Sequence, residues 1–259
     1  MPELPDLEVI SANLGKRFNA KKLSKINIFK DKKLNAPSAE FEKKLESQNL
    51  NNVQRSGKEL LLEFTNGNYL GIHLMLKGEI HLLEEDNVKG KVFELVFEDG
   101  SGFSVTDFMA QAKPILNPEK SEVPDALDLK FDFDYLKSKF AKANKANVKK
   151  ILKDQEIVRG IGNAYIDEIL WEAKISPLSI GSKIPDKSIK ILVEATKNVL
   201  RNAIEQIKAQ DPDIISGEIR SFLKIHTTTK DKSPTGAKIN VIEIDSKKTY
   251  FTDEQELYE

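Results

Sequence analysis

Residues able to do chemistry stand at three places in this chain. The first is the amino terminus, Met1-Pro2-Glu3. While Met1 is attached, the Pro2 nitrogen is a tertiary amide with no proton to donate. Removal of Met1 makes it a free secondary amine, which can attack an electrophilic carbon and form a Schiff base. Glu3 sets a carboxyl beside it for proton transfer. On these residues alone the plainer reading is a common gene start, with Pro5 opening a helix. The second place is Ser56-Gly57-Lys58-Glu59-Leu60-Leu61-Leu62, which puts Lys58 after a glycine and just ahead of a buried strand. A lone lysine at a strand start is more often solvated than reactive. The third runs from Asp154 to Glu168, where Gly160-Ile161-Gly162 precede a helix that begins near Asn163. Such a turn aims backbone N–H groups and a helix N-terminus outward, an arrangement that suits a phosphate.

Composition removes several alternatives. The 259 residues contain no cysteine, so disulfides, a thiolate nucleophile and a zinc–cysteine site are excluded. Only three histidines are present, too few to favour an all-histidine metal site, and neither a metal nor a cofactor is expected. No apolar run is long enough to span a bilayer. Pro2, Glu3, Pro5 and Asp6 break any signal-peptide pattern, so a cytoplasmic protein is expected. The formal net charge of −1 argues mildly against a nucleic-acid binder. Yet residues 137–153 carry seven lysines and no acid, a local basic face whose plainer reading is a solvated helix surface.

These residues need elements to hold them. Leu7, Ile10, Leu14 and Phe18 recur at helical spacing, which predicts a helix over 6–18 capped by Asp6. Residues 23–29, 52–64, 69–83, 91–98 and 102–108 alternate apolar and polar residues as strands do. Asn66-Gly67 and Asp99-Gly100 mark hairpin turns. Residues 117–132 carry Pro118 and Pro124 and read as a linker. Beyond them helices are expected over 134–143, 148–152, 163–173 and 187–210, and two strands near the end, 238–244 and 248–251. The fold class is therefore α+β. It comprises an N-terminal β-sandwich with a leading helix, then a helical domain that ends in a β-hairpin. The expected divisions are 1–120, 133–222 and 223–259. Tyr165 and Trp171, on a helix with Ile166, Ile169 and Leu170, read as core residues.

Taken together, the Met1-Pro2-Glu3-Leu4-Pro5 start, Lys58 and the Asp154-Gln155…Gly160-Ile161-Gly162-Asn163-Ala164-Tyr165…Asp167-Glu168 string resemble the formamidopyrimidine-DNA glycosylase / endonuclease VIII family. The resemblance covers most of the chain. It implies a bifunctional DNA glycosylase and abasic-site lyase of base excision repair, acting as a monomer on damaged double- or single-stranded DNA. The target nucleotide is flipped out of the stack. The processed Pro2 amine then attacks C1′, the base leaves, and the Schiff base labilises the C2′ proton so that β,δ-elimination follows. Glu3 protonates the opening sugar, and Lys58 contacts a phosphate or the leaving base. Lys149 and Asn163 fall where the family holds backbone phosphates. Asn163 also reads as a helix cap, and Asp167 and Glu168 as complements to the helix dipole.

The sequence departs from the family in four places. Asp6 stands where a glutamate is usual. Leu76 takes the position of the family's inserted methionine and remains an apolar wedge. Asp107-Phe108-Met109-Ala110-Gln111-Ala112 replaces a loop that normally carries an arginine for the orphaned base and a wedge phenylalanine. Losing that arginine should cost roughly 1–3 kcal/mol of discrimination, which implies weak opposite-base preference and weak 8-oxoguanine activity. Finally, the cysteine-free terminal hairpin resembles a zincless finger, with Lys247 at the arginine position and without arginine's bidentate fork. The lost loop and near-neutral charge keep a second reading open, a catalytically degenerate damaged-DNA-binding protein.

Overall fold

The computed structural model describes residues 1–85 and 88–259. The chain divides into two compact units, one formed by Met1–Lys120 with Ile207–Glu218, the other by Ser121–Gln206 with Ile219–Glu259.

In the first unit, helix α1 (Leu4–Phe18) is followed by strand β1 (Leu23–Ile28) and a short helix α2 (Ser38–Leu45). Strands β2 (Leu50–Ser56), β3 (Glu59–Phe64), β4 (Tyr69–His73), β5 (Glu79–Leu82), β6 (Lys91–Phe97), β7 (Gly102–Thr106) and β8 (Lys113–Leu116) complete it. They form two four-stranded antiparallel sheets, β1-β6-β7-β5 and β2-β3-β4-β8. Strand β3 alternates as expected, burying Leu60, Leu62 and Phe64. Leu7, Ile10, Leu14 and Phe18 of α1 join the same core, and Phe18 stacks on Phe97 at 5.1 Å. Removing each of these large apolar side chains from water stabilises the unit by about 1.5–3 kcal/mol.

Besides the unexpected helix α2, three features of the strands differ from the sequence expectation. The segment 52–64 is two strands rather than one, because Gly57 and Lys58 make a two-residue hairpin. Gly57 sits at φ 62 and the flanking Ser56 and Glu59 are paired, the pattern of a turn with glycine at its first central position. The segment 69–83 is also two strands, and they lie in different sheets. The chain changes sheets at 74–78, a turn closed by the Gly78 N–H to Leu74 O bond at 2.8 Å. A Cβ at Gly78 would lie 2.2 Å from that carbonyl, so only glycine closes this turn. Third, β8 forms an edge strand beside β4, a place in a sheet that tolerates Pro114, and the Asn35 side chain bonds the Leu116 N–H and C=O at 2.9 and 2.7 Å.

The second unit holds α3 (Phe133–Lys142), α4 (Val148–Lys153), α5 (Asn163–Glu172) and most of α6 (Asp186–Gln210), then a hairpin of β9 (Asn240–Ile244) and β10 (Lys247–Phe251). Asp132 and Asn147 cap α3 and α4 by accepting from Tyr135 N and Lys150 N. Asp245 and Ser246 both adopt positive φ, so the β9–β10 turn has two left-handed central residues and fixes a tight register. Trp171, Ile225, Ile239 and Tyr250 form a small core beneath the hairpin. Tyr165 is fully buried and Trp171 nearly so, as expected of core residues. No helix is long and apolar enough to cross a membrane among the described residues.

Candidate active site

The head of α1 is built differently from the sequence expectation, and the difference fixes Glu3. The helix starts at Leu4 and its N-cap is Glu3, not Asp6. Glu3 and Asp6 form a capping box. The Glu3 carboxylate accepts the Asp6 N–H, and the Asp6 carboxylate accepts the Glu3 N–H at 2.8 Å. Asp6 is fully buried, so its short carboxylate serves the backbone of Glu3. Pro2 is buried beneath Met1, and Glu3 is buried with it.

Lys58 is carried to this place by its hairpin. Arg55 on β2 donates from Nε to Glu8 of α1 at 2.7 Å and from Nη1 to Gly57 O at 3.1 Å, so one guanidinium ties the turn to the helix that bears Glu3. Lys58 is half-buried, and loss of water pushes its ammonium pKa down, while the charge of Glu3 pulls the other way. His73, at the end of β4, also has a lowered pKa. Burial is the main cause, with the charges of Lys58 and Lys113 adding to it. Its Nδ1 accepts the Met75 N–H at 2.9 Å, which leaves the proton of the neutral ring on Nε2. His73 is a residue that sequence reasoning passed over. The clue was available only once β4 and β8 were known to pair it with Lys113.

Leu76 stands at the tip of the sheet-changing turn and is 51% exposed. The 107–112 loop is organised by the Asp107 carboxylate, which accepts the N–H groups of Met109, Gln111 and Ala112 at 2.7–2.8 Å. Those bonds help hold its carboxyl below the usual value, against the opposing effect of desolvation. With the backbone so fixed, Phe108 and Met109 are turned outward, at 79% and 54% exposure.

In the second unit the expected phosphate contacts are placed unequally. Lys149 is 1% exposed, and its Nζ lies 2.5 Å from Asp167 Oδ1. The other Asp167 oxygen meets His226 Nδ1 at 2.7 Å and accepts the Tyr250 N–H at 3.0 Å. Lys149 is thus part of a buried ionic cluster and is not presented at the surface, contrary to its expected place on DNA. Asn163 is the first residue of α5 and Gly162 is the cap. Its Nδ2 donates to Lys248 O at 2.9 Å, tying the helix start to the hairpin, while its Oδ1 is buried without a partner. Glu168 does not complement the helix dipole either. It accepts three backbone N–H groups, from Lys224, Ile225 and His226, at 2.8–2.9 Å. Lys247 is exposed at the start of β10. Of the basic stretch, Lys137 and Lys153 pair with Asp186 and Asp245, while Lys142, Lys145 and Lys150 face solvent.

The hairpin is held by hydroxyls and a carboxylate. Thr235 Oγ1 bonds Glu254 Oε2 at 2.8 Å, Thr252 Oγ1 bonds the same oxygen at 3.1 Å, and Ser233 Oγ meets Thr235 Oγ1 at 2.6 Å. The Thr235 bond is the largest cause of a lowered Glu254 pKa. Among the described residues, no group of three histidine, aspartate or glutamate side chains is placed to hold a metal.

Comparison with known proteins agrees with this arrangement. Residues 1–111 match the formamidopyrimidine-DNA glycosylase N-terminal domain, and residues 123–212 match the formamidopyrimidine-DNA glycosylase H2TH domain. Formamidopyrimidine-DNA glycosylase of Lactobacillus gasseri is 32% identical over 80% of this chain and 78% of its own. That of Mycoplasma mobile is 30% identical over 97% of both. The structure of Lactococcus lactis Fpg in complex with abasic-site DNA superposes with a TM-score of 0.84, over 97% of this chain and 98% of that one, at 24% identity, which shows the shared fold.

Proposed function

The chain belongs to the formamidopyrimidine-DNA glycosylase family, and we propose that it is a bifunctional glycosylase and abasic-site lyase whose nucleophile is the Pro2 amine freed by removal of Met1. The observation that carries this reading is the grouping at the head of α1. Pro2 lies there beside a Glu3 whose carboxyl is fixed by the capping box, and the charge of Glu3 acts on a desolvated Lys58. The neutral amine adds to C1′ and the base departs with the electrons of the glycosidic bond. Glu3 supplies the proton that lets the sugar ring open. The resulting iminium acidifies C2′, and loss of its proton expels the 3′ phosphate and then the 5′ phosphate. Lys58, with its lowered pKa, is suited to exchange a proton with the leaving base.

Exposed Leu76 and Phe108 supply apolar wedges for the vacated stack. The 107–112 loop offers no arginine to the orphaned base, which favours weak opposite-base preference and weak 8-oxoguanine excision. Phosphate grip falls to Asn163, after rotation of its amide, to Lys247 and to the exposed lysines of 142–150. DNA affinity should fall steeply with salt.

Borohydride trapping on abasic DNA tests the chemistry. The Met-processed protein should give a covalent adduct, and Pro2→Gly should give little or none. Tight DNA binding without an adduct in the wild type would leave a binding-only protein.

A further inference from the structure

We propose that Glu218 is the positioning residue for the amino terminus, and that in the processed chain its carboxylate holds the Pro2 amine and sets how much of it is free to react at neutral pH. In the structure Glu218 Oε2 accepts from the terminal ammonium of Met1 at 3.0 Å. Successive backbone nitrogens are roughly 3–4 Å apart along a chain. Removal of Met1 therefore moves the terminal charge by about the length that a rotation of the half-exposed Glu218 side chain can follow.

The segment that carries Glu218 is built into the first unit. Ile207–Glu218 groups with Met1–Lys120 although Ser121–Gln206 of the second unit intervene. Asn13 of α1 donates from Nδ2 to Ile214 O at 2.8 Å, and Ser216 Oγ accepts the Ile80 N–H of β5 at 2.8 Å. Ile214 is buried and Ile215 packs on the sandwich core. Gly217, at φ 83, then turns the chain so that Glu218 arrives at the terminus. A segment anchored at Asn13 and Ile80, ending in a carboxylate on the terminal amine, is a placed contact rather than a stray surface pair.

Charged groups at the head of α1 also include Glu3, Asp6 bonded to the Glu3 N–H, and Lys58, on which the charge of Glu3 acts. These are common to wild type and to a Glu218 variant, so a comparison isolates Glu218. A carboxylate on an amine favours the ammonium, which cannot attack carbon. Glu218 thus keeps the nucleophile placed and protonated, and its charge tunes the onset of reactivity with pH.

The inference rests on Pro2 being the freed terminus, and its test reads the amine directly. Met-processed wild type, Glu218→Gln and Glu218→Asp, each labelled with ¹⁵N-proline, are titrated by NMR, and borohydride trapping on abasic DNA is followed against pH. Glu218→Gln should lower the Pro2 amine pKa by about half to one unit and move the acid limb of trapping to lower pH by the same amount. Glu218→Asp should restore both. An amine pKa unchanged in Glu218→Gln, with trapping intact, overturns the inference and leaves the catalytic reading standing. A lowered pKa restored by Glu218→Asp, with no adduct from any of the three proteins, supports the inference and overturns the catalytic reading.

Discussion

Two lysines withdrawn from water to different degrees, one in each unit, have opposite surroundings. Lys149 is sealed from solvent and its charge is answered at 2.5 Å by Asp167, which is in turn held by His226 and the Tyr250 N–H. Lys58 sits at a hairpin tip where loss of water outweighs the pull of Glu3, so its proton is weakly held. The first lysine ties α4, α5 and the terminal hairpin into one body. The second is kept in a setting that disfavours its charge, the kind of setting in which the proposed catalytic role would place a lysine. Loss of water is common to both lysines; a close carboxylate partner sets Lys149 apart.

The largest effect should come from breaking the answered pair. Asp167→Ala leaves the Lys149 charge buried with its partner gone and should cost about 3–5 kcal/mol, read as a fall in Tm on thermal unfolding. Adding Lys149→Met should recover a good part of that loss. If the single variant unfolds like wild type, the cluster is not the structural tie described. The second effect separates stability from activity. Lys58→Met removes a half-buried charge and should leave Tm unchanged or raised by about 1 kcal/mol equivalent. Base excision should nevertheless fall by roughly 10²-fold or more, with trapping on pre-formed abasic sites less affected. Equal losses in both assays would make Lys58 a general phosphate contact instead.

The smallest effect concerns His73. Its folded pKa lies below its ordinary 6.5. The neutral ring is thus favoured by folding, its contribution is fully present above 6.5, and it is lost as pH falls through that value toward the folded pKa. Protonation would also take Nδ1 from the Met75 N–H and loosen the turn that presents Leu76. Stability of His73→Gln should be flatter with pH over this window. In Lys58→Met, where a neighbouring positive charge is gone, the His73 pKa should rise toward its ordinary value in an NMR titration.

Local signals carried much of the fold. The apolar stripe of α1, the Asn66-Gly67 and Asp99-Gly100 turns, the start of α5 at Asn163 and the terminal hairpin were all legible, because each depends on near neighbours in sequence. The Lys58 hairpin was not, since Gly57-Lys58 lacks the usual second turn residue and sits inside an unbroken non-apolar run, 54–59, that hides where one strand ends and the next begins. Helix α2 and strand β8 were passed over because each is short, and β8 carries a proline. The burial of Lys149 was out of reach for a different reason. Its partner lies eighteen residues away on another helix, and only packing decides that the two meet. The return of Ile207–Glu218 to the first unit likewise leaves no mark in composition.

The hairpin network of Ser233, Thr235, Thr252 and Glu254 bears on how this protein survives the conditions that create its work. Oxidants that damage bases also attack thiolates and eject the metal they hold. Hydroxyls and a carboxylate offer such reagents nothing to oxidise, and the chain has no cysteine anywhere. The network around the terminal hairpin therefore presents no thiolate to an oxidant. Its weakness lies instead on the acid side. Glu254, whose carboxyl is held below its usual value, is the group whose protonation loosens the hairpin as pH falls. The most exposed methionine is Met109, at 54%, far along the chain from the hairpin and on the 107–112 loop. Peroxide should thus oxidise that loop before it touches the network around the hairpin.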